Sequence, residues 1–374
     1  MKPSIRLIMY YDSSNHSGII NKFYDTITIL DSFDVLAEVM ARNIDKSRIL
    51  NPDSICFVPF RDGLFSDISA CLHILLNKSD FTYMQLTFDT FFFIRFLCAK
   101  LSGSKILLYM EDPLYEVIKL MPTEVLHRVK LKLFASIVEF ISKYTEIIML
   151  LLADYIFVTS QKMKSNYLRM FPKKNNIYVL YNNVPSKSQK PKDKTFDLLR
   201  NKFNYIFLYL GMIQPNIRGY EKLLDIFSKI KKKDRCLLFI GPDLSHGAFK
   251  DLVTKYALSD YVIHIPPVKK EYAMWYLTQA DFFVLGYPSP DYILPNKFFD
   301  SYHANLPMLL PWNLADAKKL FDGWVIAYSS DVDLLEKFEN IESYSLSKKK
   351  LDIPTYQKSI ERLFTEKLGL KKNP

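Results

Sequence analysis

No stretch of this 374-residue sequence reaches the roughly eighteen uninterrupted apolar residues that a membrane-spanning helix needs. The longest candidate, IIMLLLA at 147–153, is cut short by Asp154. The amino terminus, MKPSIRLIMYYD, runs straight into a strand pattern and lacks a signal-peptide cleavage pattern, which points to a cytoplasmic protein. Cysteine is scarce. The four residues (Cys56, Cys71, Cys98 and Cys236) have neither C-x-x-C nor zinc spacing, so reduced, buried thiols are expected. No His/Cys/carboxylate cluster appears, and no metal or other cofactor is expected. Glycine numbers only 10, with no G-x-G-x-x-G, which removes the dinucleotide fingerprint. No Arg-rich motif, RNP-like strand or helix-turn-helix signature is present, so nucleic acid is not the expected partner.

What is present is ordinary in bulk and unusual in two respects. Hydrophobic residues make up 49% and charged residues 24%, as in a globular protein, and the length suits two domains. Aromatics reach 15%, with 28 Phe and 24 Tyr, which fits either an aromatic core or a membrane-facing surface. The net charge of +10 calls for an anionic partner, such as a phosphorylated donor or an anionic lipid surface. Residues 155–192 contain no Asp or Glu, while Lys162, Lys164, Arg169, Lys173 and Lys174 gather there. Upstream, Arg128 and Lys132 share a face of an apolar-rich helix. Basic beside apolar residues suits an anionic bilayer, and a solvated face is the plainer alternative.

Short apolar runs alternate with helical patterns throughout. IRLIMYY, ICFVPF, FTYMQL, KILLYM, YIFVTS and IYVLY read as strands in the first half, with helices at 68–76 and 91–101. Their continuous hydrophobicity marks strands covered on both faces, and hence an α/β fold with parallel sheets built from βαβ units. PSKSQKPKDK, from Pro185, reads as a linker. After it the pattern restarts with YIFLYL, a helix at 220–230, CLLFI, YVIHI, a helix at 271–278, and DFFVLG. The expected organisation is a Rossmann-like domain at 1–190, a second at 191–355, and a C-terminal helix at 356–374 packing back on the first. Ligands of open parallel sheets bind beyond the carboxyl ends of strands, so a cleft between two such domains is the expected site.

The segment 281–311, DFFVLGYPSPDYILPNKFFDSYHANLPMLLP, carries the most chemistry. It reads as strand, polar loop, helix opened by Pro295, and strand. A helix N-terminus favours anions such as phosphate, and a cation in its first turn, Lys297, fits best beside one. Asp300 follows one turn later, where its carboxylate could accept bonds from a ribose diol. Asn305 ends the helix where a left-handed residue is wanted. Further upstream, Gly211 follows a strand, so the backbone can pass close to a ligand. Arg218 leads into the next helix, either gripping phosphate or lying in solvent. Glu111 and Asp112 end the KILLYM strand. A carboxylate there could take a proton from a hydroxyl, while Asp112 could equally cap a helix opened by Pro113. His264, inside an apolar strand, reads as a packed histidine. The sole D-x-D, Asp331 to Asp333, starts a helix and reads as a cap.

P-N-K-F-F-D-S-Y-x-A-N-L-P resembles the P-N-K-[LF]-[FY]-E-Y-x-A-x-G-x-P segment of GT-B glycosyltransferases, particularly the family 4 type of bacterial polysaccharide biosynthesis. The resemblance covers most of the chain and is weaker in the first half. It implies two Rossmann-like domains facing across a cleft, and a nucleotide diphosphate donor (UDP- or GDP-linked). It implies donor-binding roles for Gly211, Arg218, Asn296, Lys297 and Asp300, with Asp300 on the ribose and the backbone near Val268 reading the base. Gly18, in the loop DSSNHSG, would let the backbone approach donor and acceptor. The chain departs from the pattern in places: Asp300 stands for Glu, Asn305 for Gly, Met212 for the first phosphate cation. Tyr292 stands for the first acid of E-x7-E, with Asp291 one residue off register. The expected activity is sugar transfer to a hydroxyl acceptor, such as a lipid-linked saccharide, with Asp112 or Glu111 as base if the reaction inverts. The alternatives are a sugar-nucleotide 2-epimerase and a catalytically silent subunit that binds a partner transferase.

Overall fold

The computed structural model describes residues 2–12, 18–42, 44–49, 51–59, 64–86, 91–111, 113, 132–192, 195–214, 219–286, 294–344, 346 and 351–373. Of the expected site, Asp112, Arg218, Asp291 and Tyr292 lie outside the described residues, as does Arg128 of the basic face. The chain divides into two compact units, 1–181 with 354–374, and 182–353. The stretch read as a linker falls within the second.

The first unit holds β1 (Ser4–Asp12), α1 (Gly18–Asp31), β2 (Leu36–Arg42), β3 (Ile55–Pro59), α2 (Leu64–Leu76), β4 (Phe81–Gln85) and α3 (Phe92–Leu101). β5 (Lys105–Met110), α4 (Lys132–Leu152), β6 (Tyr155–Val158), α5 (Gln161–Met170) and β7 (Ile177–Val179) follow. The strands form one sheet in the order β3-β2-β1-β4-β5-β6-β7, every pairing parallel. Every residue of β4 is buried, as expected of a strand covered on both faces.

The second unit contains α6 (Thr195–Lys202), β8 (Tyr205–Leu210), α7 (Tyr220–Ser228), β9 (Arg235–Ile240), α8 (Ala248–Lys255), β10 (Val262–Ile265) and α9 (Lys270–Gln279). It continues with β11 (Phe282–Val284), α10 (Asn296–His303), β12 (Met308–Pro311), α11 (Ala315–Leu320), β13 (Val325–Tyr328) and α12 (Asp331–Glu339). Its sheet runs β10-β9-β8-β11-β12-β13, again parallel. The order reverses between β8 and β11, the switch point at which doubly wound sheets open a crevice for ligands. α13 (Tyr356–Glu366) belongs to the first unit and packs on α1, and just past α1 Phe33 meets Phe364 edge to face.

The two units share two devices. In each, a buried arginine in the first residues of a strand caps a helix through its carbonyls. Arg6 donates to Ile74 and Asn77 O at the end of α2, and Arg235 donates to Phe338 and Glu339 O at the end of α12. In each, an Ala-Asp pair precedes a strand, and the aspartate accepts from the backbone of the neighbouring strand. Asp154 takes Ile106 N at 2.8 Å and Asp281 takes Ile206 N at 2.7 Å. The D-x-D segment is a helix start: Ser330 is the N-cap of α12, accepting from Asp333 N.

Candidate donor site and the first-unit carboxylate

In the second unit Gly211, Lys297 and Asp300, the expected donor residues whose mutual placement the structure describes, lie beyond the carboxyl ends of the strands. Gly211 ends β8 with φ +148°, a conformation that L side chains rarely adopt. Gly241 ends β9 with φ +145°, and a Cβ built there would lie 2.1 Å from Gly211 O, so the two backbones touch. The loops behind them are tied together. Ile213 N donates to Pro242 O, Leu244 N to Ile213 O, and the Tyr209 hydroxyl to Met212 O. His264 packs edge-on to Phe249 and pairs through Nε2 with Gly241 O at 2.8 Å; the carbonyl only accepts, so the ring donates. The histidine is therefore structural, and it fixes the glycine loop.

The α10 helix begins one residue later than its sequence suggests. Pro295, at φ −56° and ψ 143°, is the N-cap, and Asn296 opens the helix. Lys297 is in the first turn. Its Nζ stands 2.7 Å from the position of a Cβ on Gly211, so the ammonium lies directly over the end of β8. The Oδ1 of Asn296 is buried without a hydrogen-bond partner, an acceptor available to a ligand N–H or O–H. Neither N-cap residue supplies a side-chain cap, Pro295 at α10 and Gly219, with φ 63°, at α7. Gly286, just past β11, allows close approach to that second helix start: a Cβ there would fall 2.4 Å from Gly219 O. At the other end of α10, Asn305 adopts φ 60°, the left-handed cap that its position implies.

Asp300 is buried on the same helix and pairs with Lys270 Nζ at 3.6 Å. Burial raises its carboxyl above the ordinary value, and Lys270 and then Lys297 pull it back down. Lys270 is a site residue that the motif reading missed. Its only sequence signal is the Lys269-Lys270 pair that opens α9 after the PPV loop, where Val268 sits half-buried. His303, one turn beyond Asp300, donates to Asn183 Oδ1, since an amide oxygen only accepts. Burial first, and then Lys270, lowers its pKa and keeps the ring neutral. Two cations, a buried carboxylate and an unsatisfied amide oxygen thus surround a glycine-walled strand end. That arrangement can bind an anion through Lys297 and vicinal hydroxyls through Asp300.

In the first unit, Glu111 follows β5 as expected, and its carboxylate is engaged from behind. Lys22 on α1 is almost fully buried and contacts Glu111 Oε1 at 2.5 Å and the Tyr109 hydroxyl at 3.2 Å. Thr159 Oγ1 donates to the Glu111 carbonyl at 2.9 Å. Behind this pair the Tyr356 hydroxyl of α13 bonds Tyr83 at 3.2 Å and Thr26 at 2.8 Å. Burial pushes Tyr356 up to about 12 and Tyr83 well above the usual phenol range, so both remain protonated. Gly18 opens α1.

Comparison with protein-family models and with curated proteins finds no match. Comparison with solved structures finds extensive likeness. HepE from Anabaena, crystallised in complex with UDP, superposes with TM-score 0.65 at 12% identity over 97% of this chain and 95% of its own. Sucrose-phosphate synthase from Thermosynechococcus elongatus gives 0.66 at 16% identity, covering 91% and 90%. A putative UDP-N-acetylglucosamine 2-epimerase from Listeria monocytogenes gives 0.58 at 12% identity, covering 98% and 95%. The chain has the GT-B fold, two Rossmann-like parallel-sheet units of seven and six strands.

Proposed function

We propose that this protein is a glycosyltransferase that moves a sugar from a nucleotide diphosphate sugar, UDP- or GDP-linked, to a hydroxyl acceptor. The observation that carries the reading is the placement of Lys297 over Gly211, with Asp300 one turn further along α10. A diphosphate leaving group develops charge as the glycosidic bond breaks, and a fixed ammonium beside uncapped helix N–H groups offsets it. Arg218 would add a second cation. Asp300 would accept from the ribose hydroxyls, with Lys270 opposing the rise that burial imposes on its carboxyl, while the backbone near Val268 and the Asn296 amide would meet the rest of the nucleotide.

In this reading the first unit supplies the acceptor side. If the reaction inverts, Asp112 or Glu111 takes the acceptor proton. Glu111 is committed to Lys22, which favours Asp112. If it retains, the resemblance implies that the donor phosphate assists. The chemistry assigned here uses no metal. The acceptor is a lipid-linked saccharide in cell-surface polysaccharide synthesis, and the protein works on the cytoplasmic face of a membrane without crossing it. No helix among the described residues is long and apolar enough to cross one. The experiment is product analysis with a panel of UDP- and GDP-sugars and a lipid-linked acceptor: transfer is expected, and sugar-nucleotide epimerisation or hydrolysis alone would refute it.

The 2-epimerase reading draws support from the Listeria likeness, but such chemistry needs several acid–base groups around the sugar. In the second unit Asp300 is engaged with Lys270, and His303 with Asn183.

A further inference from the structure

We infer that the outer face of α2, α3 and α4 in the first unit docks on an anionic lipid bilayer. The inference names a surface for the membrane location proposed above, and it is tested apart from the transferase chemistry. α2 packs on α3 and α3 on α4, forming one helical layer over the sheet. The inner sides bury Ile74, Phe96, Ala99, Met149 and Leu150. The outer sides, which should be polar, are apolar instead.

On α2, Phe65, Ile68, Leu72 and Leu76 recur at helical spacing, and Phe65 is 88% exposed. On α4, Phe140, Tyr144, Ile148 and Leu151 form a second exposed stripe, with Ile94 and Leu101 on α3 between the two helices. Most of the exposed large hydrophobic side chains among the described residues lie on these three helices, whereas those of the second unit are scattered singly. A contiguous apolar surface of this kind marks an interaction site.

Charge selects the occupant. The acids of these helices with described side chains do not reach the surface: Asp67 is buried against Arg95, and Glu146 is buried on the Tyr167 hydroxyl. Lys143 is exposed at the edge of the α4 stripe, and Lys78 is exposed just past α2. Asp80, exposed two residues beyond Lys78, accepts from the Ser4 N–H and hydroxyl. An apolar centre flanked by lysines, on helices whose described side chains include no exposed acid, matches acyl chains flanked by anionic headgroups. A second copy meeting the same face through a two-fold axis would oppose one cationic rim to another.

The test is co-sedimentation of the full chain with phosphatidylcholine vesicles, with and without phosphatidylglycerol. Binding is expected only with the anionic lipid. The combined variant Phe65→Gln, Leu72→Gln, Phe140→Gln and Ile148→Gln should bind at least about tenfold more weakly, with UDP binding unchanged as the check that the second unit is intact. Equal sedimentation with neutral and anionic vesicles, unaltered binding by the variant, or a dimer that the substitutions dissolve would each overturn the inference. Should the combined variant misfold, Phe140→Trp reads the same contact, because the three native tryptophans (Trp275, Trp312 and Trp324) all lie in the second unit. Brominated phosphatidylglycerol should quench the new emission, and its failure to do so would also overturn the proposal. Loss of UDP binding with vesicle binding retained would instead count against the donor site alone.

Discussion

The ammonium of Lys297 occupies the space that a side chain on Gly211 would need, 2.7 Å from the Cβ position. One residue therefore vacates what the other fills, and the pair should behave as a unit. Gly211→Ala is predicted to push Lys297 aside and to strain a backbone at φ +148°, at about 1–3 kcal/mol of stability. Nucleotide affinity should fall about as far as in Lys297→Ala, and the double variant should lose little more. A double-mutant cycle by calorimetry with UDP checks this, and simple additivity would separate the two residues.

Asp300 should trade stability for binding. Burial raises its carboxyl above the ordinary 3.8, so the fold favours the protonated form. The stability from that proton is fully present below the unfolded value and is lost as pH rises through the higher folded value. Asp300→Asn, which imitates the neutral acid, should therefore melt higher than the native protein at neutral pH, with the gap closing in acid. Thermal unfolding across pH measures it, and a variant that melts lower at neutral pH contradicts the assignment.

Lys270 should set the pH at which the site works. It is the nearest charge opposing the burial of Asp300. Lys270→Met should raise the carboxyl further and move the loss of nucleotide affinity to higher pH, without abolishing binding at alkaline pH. Affinity measured from acid to alkaline pH resolves the shift. A uniform loss at every pH would give Lys270 a direct contact with the nucleotide instead.

Glu111 and Lys22 make a separate prediction. Removing one partner of a pair whose ammonium is buried leaves an uncompensated charge, so Glu111→Ala should destabilise the first unit by about 3–5 kcal/mol. Denaturant unfolding reads this directly. A variant of native stability that is inactive would point to proton transfer as the role of Glu111.

The sequence pattern reads these sheets well where strands are uniformly apolar. KILLYM and YIFLYL match β5 and β8 residue for residue, because both are buried and bounded by sharp turns. β2 escapes that reading because Glu38 interrupts it. The charge is tolerated through Arg6 at 2.9 Å and His73 at 2.5 Å, partners from β1 and α2 that only the fold brings near. β13 is short and alternates in burial. The α10 unit was legible through local chemistry, namely Pro295 before the helix and Asn305 after it. Lys270 was not, because its meaning comes from Asp300, thirty residues on. Nor was Lys22, whose partner Glu111 lies on another strand–helix unit.

Calorimetric titration of the native protein and of Asp300→Ala with UDP and GDP tests the central claim most directly. The account predicts that at least one nucleotide binds the native protein, and that the variant loses about 1.5–3 kcal/mol of that affinity, the worth of a hydrogen bond to a charged group. Undiminished affinity in the variant would contradict the site, and failure of the native protein to bind either nucleotide would contradict the function.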